Sequence, residues 1–147
     1  MATVPSTPDL LDVSVWLALV DRRHVHHPTA ERYWNQHPVG PLAFCRLTML
    51  GFLRLSTNAH AFPDPLTPQE AWTVYRQFLA LPIVRFLPEP DGLETAFATL
   101  TLAPDFPHRL WTDAFLAAFA ITSGCRLVSF DADFSRFPQL NFLLLQR

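Results

Sequence analysis

The 147 residues carry nine aspartates and four glutamates, and three of the aspartates keep unusual company. Asp12 lies inside an apolar, strand-like run, Asp113 opens an almost wholly apolar helical stretch, and Asp131 follows directly on another apolar run. In a parallel sheet the carboxyl ends of strands and the amino ends of helices face one edge, where open α/β folds bind ligands. Carboxylates gathered at that edge repel one another, and a hard divalent cation such as Mg2+ or Mn2+ relieves the repulsion. Each acid also has a plainer role: Asp12 as the cap of the next helix, Asp113 as an acid in a helix's first turn, Asp131 as a turn residue. Asp133, in the same Asp-Ala-Asp turn as Asp131, reads first as a turn residue and only second as a weaker metal ligand.

The elements that must bring these acids together are punctuated by 14 Pro and 4 Gly. Residues 10–14 read as a short buried strand with a helix over 15–20 behind it. A helix over 28–37 takes Pro28 in its first turn and spaces Ala30, Tyr33 and Trp34 on one face. A strand at 42–45 precedes an amphipathic stretch over 47–57. Thr67-Pro-Gln-Glu70 is a capping box that opens a helix over 68–80. A third strand follows at 83–87, and Asp91 with Glu94 repeats the cap pattern for a helix reaching 102. The apolar helix over 112–123 stops at Gly124, and two more strands follow at 126–130 and 141–145. Short uninterrupted apolar strands separated by helices predict a parallel sheet covered on both faces, a three-layer α/β/α domain. The length fits a single domain over residues 1–147.

Composition excludes several chemistries. All 11 cationic residues are Arg, so Schiff-base lysines, a Walker-type phosphate-binding Lys and a Ser-Lys dyad are absent. With 13 acids the net charge is −2, and any nucleic-acid contact must be local rather than that of a polycation. Cys45 and Cys125 match neither a zinc pattern nor a disulfide framework and read as buried thiols, which suits the cytoplasm. The apolar run over 10–20 is broken by Asp12 and Ser14 and is neither signal peptide nor membrane span. His24, His26 and His27 lack the spacing of a helical zinc pair and read as a surface turn.

Four segments in order, Leu10 to Val15, Leu47 to Asn58, Trp111 to Phe119 and Leu127 to Phe134, resemble the successive signatures of PIN-domain ribonucleases, above all the VapC-type toxins of bacterial toxin–antitoxin pairs. The resemblance covers nearly the whole chain. It implies a PIN-like α/β/α domain with a parallel five-stranded sheet of order 3-2-1-4-5, and an acidic pocket holding Mg2+ or Mn2+. The implied activity is an endoribonuclease that hydrolyses RNA phosphodiester bonds through a metal-activated water. It also implies a homodimer whose pocket is blocked by a cognate antitoxin.

Carried over residue by residue, Asp12, Asp113 and Asp131 match the family's catalytic and metal-binding acids. A further family acid, a Glu after the second strand, falls on Met49, whose soft, neutral thioether cannot hold a hard cation. The site would then hold three carboxylates, or four if Asp133 turns inward, with weakened metal affinity. Ser14 and Ser129 match small polar positions that support the acids. Arg54 and Arg109 are candidates to hold RNA phosphate, against the plainer role of solvated counter-charges. The alternative function, motivated by Met49, is a degenerate PIN domain that binds RNA or protein without cutting.

Overall fold

The computed structural model describes residues 7–36 and 40–146. The first strand, β1 (Asp9–Leu11), leads at once into α1 (Val13–Val20), and α2 (His27–Gln36) follows. The expected end of that helix at His37 lies outside the described residues. Next come β2 (Leu42–Phe44), α3 (Arg46–Ser56), α4 (Pro68–Ala80), β3 (Val84–Phe86) and α5 (Leu93–Leu100). The chain closes with α6 (Trp111–Ser123), β4 (Arg126–Ser129), a 3-10 turn (Ala132–Arg136) and β5 (Phe142–Leu144). All pairings are parallel, as the apolar strands predicted, and the sheet order is β3-β2-β1-β4-β5, as the family resemblance implied.

Alternation along the strands sends neighbouring residues to opposite faces. Leu10, Ala43 and Leu127 pack under α5 and α6 with Leu116 and Phe119, while Leu11, Phe44 and Val128 pack under α1 to α4 with Trp16, Phe52 and Tyr75. The second layer is ordered by stacked rings, with Trp16 on Phe44 at 3.9 Å and 8°. Both faces being covered explains why the strands read as unbroken apolar runs.

Two helix starts show how local chemistry sets boundaries. At α4 the Thr67 hydroxyl accepts from the Glu70 amide at 3.1 Å, and the Glu70 carboxylate accepts from the Thr67 amide at 2.9 Å, so the capping box forms as read. At α5 it does not: Gly92, at φ 82°, takes the capping position and Asp91 lies outside it. That conformation is open to glycine and strained for Asp. The strand expected over 10–14 is also shorter, because Asp12 turns the chain from β1 into α1.

Candidate active site

The order of the sheet reverses direction of growth between β1 and β4, and the crevice outside their carboxyl ends is where such folds place ligands. The register pairs Asp9 with Arg126, Leu10 with Leu127 and Leu11 with Val128, so the next residues out, Asp12 and Ser129, emerge side by side. Asp12 caps α1, its Oδ1 accepting from the Val13 amide at 2.8 Å. Its Oδ2 accepts from the Ser129 hydroxyl at 2.7 Å and, at 3.4 Å, from Ser14. The capping role of Asp12 is thus borne out, and its bonds to Val13, Ser14 and Ser129 hold the carboxylate at the end of β1.

Ser129 also receives the Asp131 amide at 2.9 Å, so one hydroxyl links the turn carrying Asp131 to the end of β1. Asp131 in turn caps the 3-10 turn, accepting from the Asp133 amide at 2.9 Å. This tight turn brings the Asp133 carboxylate round beside that of Asp131. Asp113, in the first turn of α6, completes the group: Asp113, Asp131 and Asp133 each offer an oxygen within 4.8 Å of the others.

The electrostatics are those of crowded acids. Burial first, then the charges of Asp131, Asp12 and Asp133, push Asp113 up to about 6. Burial also raises Asp12, outweighing its three hydrogen bonds, and the charge of Asp131 adds to the rise. Hard oxygen donors at this spacing, destabilised by mutual repulsion, fit a divalent cation held by two or more carboxylates.

The other predicted residues fare differently. Asp133, read first as a turn residue, joins the cluster while remaining in its turn. Arg109 donates to Asp133 at 2.9 Å with both groups about half exposed, which makes it a counter-charge to that acid. Arg54 is exposed in the last turn of α3, and among the described residues no ion pair or hydrogen bond joins it to an acid.

Met49 requires a correction. It is buried in the layer of Leu11, Val15 and Phe44, and its sulfur accepts from the Arg46 guanidinium at 3.2 Å. The α3 residue that abuts the chain behind Asp12 is Gly51, where a Cβ would come within 2.6 Å of Val13 Cγ2. Met49 is a buried side chain in contact with Arg46 and lies outside the group of Asp113, Asp131 and Asp133.

Sequence reasoning missed the Arg109–Asp133 pair and the stacking of His26 on Phe130 at 4.3 Å, next to Asp131. No spacing rule signals either. The neighbouring His27 binds the Ala18 carbonyl at 2.7 Å and Glu31 at 3.1 Å, as a structural residue would.

The PIN domain family model matches residues 10–140, a span that includes every acid of the cluster. The chain belongs to the PIN-domain family. This PIN domain is 40% identical over 146 residues to ribonuclease VapC41 of Mycobacterium tuberculosis, covering 94% of this chain and 99% of that protein. It is 33% identical over 123 residues to ribonuclease VapC38 of the same organism, covering 84% of each. Such identity over such lengths puts it in the VapC group of the family. Among solved structures, M. tuberculosis VapC20, described as a sarcin-ricin loop cleaving toxin, superposes with a TM-score of 0.69 at 19% identity, covering 90% of this chain and 97% of that one. VapBC2 from Rickettsia felis gives 0.65 at 11%, covering 95% and 99%. Among the described residues, no helix of the PIN domain is long and apolar enough to cross a membrane.

Proposed function

We propose that this PIN domain is a Mg2+- or Mn2+-dependent endoribonuclease, the toxin of a toxin–antitoxin pair, acting in the cytoplasm as a homodimer that a cognate antitoxin inhibits. The observation that carries the reading is the carboxylate cluster at the β1/β4 crevice of a chain whose VapC relatives are named ribonucleases. Asp113, Asp131 and Asp133 would hold the cation, with Asp12 as the further acid facing it. When bound, the cation supplies the charge that polarises a phosphoryl oxygen and activates a water for attack on the phosphodiester.

The chain's own residues prepare the site. Ser129 orients Asp12 and fixes the Asp131 backbone, Ser14 supports Asp12 more weakly, and the Val13 amide holds the other oxygen of Asp12. Arg109 draws Asp133 to one side and offsets part of the negative charge that would repel an RNA phosphate.

Cleavage of a labelled RNA pool, followed as Mn2+ or Mg2+ is titrated, tests the proposal. Cutting that rises with the cation and disappears in Asp131→Asn supports it. RNA binding without cutting at any cation concentration would mark the non-cleaving binder instead.

A further inference from the structure

A second cavity, of about 310 Å³, opens at the same carboxyl edge. Its walls are Phe86 at the end of β3, Cys45 at the start of α3, and Phe115 and Phe119 on α6, with Arg46 and Glu89 among its lining. Cys45 and Phe86 stand at the carboxyl ends of β2 and β3, on the sheet edge where Asp12 and Asp131 follow β1 and β4. The volume stands at the small end of ligand pockets, which run from roughly 300 to 1,000 Å³.

Two side chains of opposite charge, Arg46 and Glu89, line this cavity without bonding to each other. The Arg46 guanidinium lies over the Phe86 ring, 4.5 Å from its centre, and touches the Met49 sulfur. Among the described residues neither it nor Glu89 forms an ion pair. A small apolar slot with an unneutralised guanidinium and an unneutralised carboxylate suits a flat ring whose edge carries both acceptors and donors.

We propose that this slot takes a guanine base of the RNA strand, adjacent to the phosphate at the acid cluster. Guanine N7 and O6 accept from an arginine, and guanine N1–H and N2–H donate to a carboxylate, while the ring stacks on aromatic walls. Adenine presents its N1 lone pair where guanine presents N1–H, and so meets the Glu89 carboxylate with repulsion. Arg46 and Glu89 are thus specificity residues. The inference rests on the ribonuclease reading for its substrate, and on the slot's own chemistry for its base.

The probes are fluorescein-labelled oligouridylates carrying either one guanosine or one adenosine. Their binding to the full chain is followed by anisotropy in EDTA, and their cleavage is followed separately with Mn2+. The guanosine probe is expected to bind about tenfold more tightly than the adenosine probe. Glu89→Gln, an exposed and nearly isosteric change, should erase that ratio, and Arg46→Met should reduce it, with all-uridine binding unchanged by Glu89→Gln. Cleavage should fall beside the guanosine. Guanosine-selective binding that depends on Glu89, without cutting at any Mn2+ concentration, would remove the ribonuclease reading and leave the slot standing. Cutting with no guanosine preference, or a preference indifferent to Glu89→Gln, would overturn the slot and leave the ribonuclease. An RNA preference untouched by Glu89→Gln, together with lost affinity for the antitoxin, would assign the slot to the protein partner and equally overturn the proposal.

Discussion

At the scale of single residues, the acids of the cluster weaken the fold in order to hold a charge. Asp113 has an ordinary value of 3.8 and stands at about 6 in the fold, and burial raises Asp12 in the same direction. A carboxyl raised on folding stabilises the protein while it is protonated, and that contribution is lost as pH rises through the folded value. Without added metal, the melting temperature should therefore fall as pH climbs from about 4 to above 6. Asp113→Asn should flatten that part of the curve, with solvent screening of this half-exposed group keeping the change modest. Thermal melts across this range, with and without Mn2+, check it, and Mn2+ should reverse the fall.

Asp131→Asn separates activity from stability. It removes one charge from the crowd while an amide oxygen can still accept from the Asp133 amide. Cleavage should drop by about a hundredfold or more, and the metal-free melting temperature should hold or rise. Parallel RNA assays and melts would expose a structural Asp131 if both quantities fell together. Met49→Glu gives the opposite pattern. The family resemblance matched Met49 to a ligand position, but a glutamate there would enter the apolar layer beside Leu11 and Phe44, with the Arg46 guanidinium as its neighbouring charge. Denaturant titration should show a loss of about 1 to 3 kcal/mol, the Arg46 guanidinium offsetting part of the cost of burying the charge, with no gain in Mn2+ affinity.

At the scale of elements, β1 and β4 are fastened at both ends. The far end from the acids is closed by Arg126, whose guanidinium grips both oxygens of Asp9 at 2.9 and 2.8 Å, and by the Tyr33 hydroxyl, which donates to the same carboxylate from α2. Removing the cation leaves Asp9 largely buried without its ionic partner. Arg126→Met should cost about 2 to 4 kcal/mol in a urea titration, and the double change Arg126→Met with Asp9→Asn should recover part of it.

The same scale explains what the sequence made legible. The capping box at Thr67 was readable because all its partners lie within four residues. Asp113 and Asp131 come together because a parallel sheet gathers strand ends and helix starts at one edge, and Asp133, read first as a turn residue, joins them while Asp12 stands outside that group. Asp91 misled because the left-handed conformation of Gly92 moved the helix start past it. Met49 lies in the apolar layer and not among the acids, a difference that spacing alone could not show because each step along a helix turns the side chain by about 100°. The Arg109–Asp133 pair spans 24 positions and depends on how a loop and a turn meet, for which no local pattern exists.

At the scale of the whole molecule, the acid site is assembled from the two ends of the chain. Ser129 and Asp12 are 117 positions apart, as are Arg126 and Asp9, and β1 has β2 on one side and β4 on the other. That separation has a meaning for synthesis. A ribosome delivers β1, Asp12 and the first four helices early, then α6 with Asp113, and after it the strand and turn that carry Ser129, Asp131 and Asp133. Domains generally fold as units, and here the central strand β1 gains its second neighbour, β4, only after α6 has been made. A chain that stops short of β4 lacks Ser129, Asp131 and Asp133, and with them most of the acid group. Ribosome-bound chains arrested just after α6 should cut no RNA at any Mn2+ concentration, whereas the full chain gains activity once it is released and β4 takes its place beside β1.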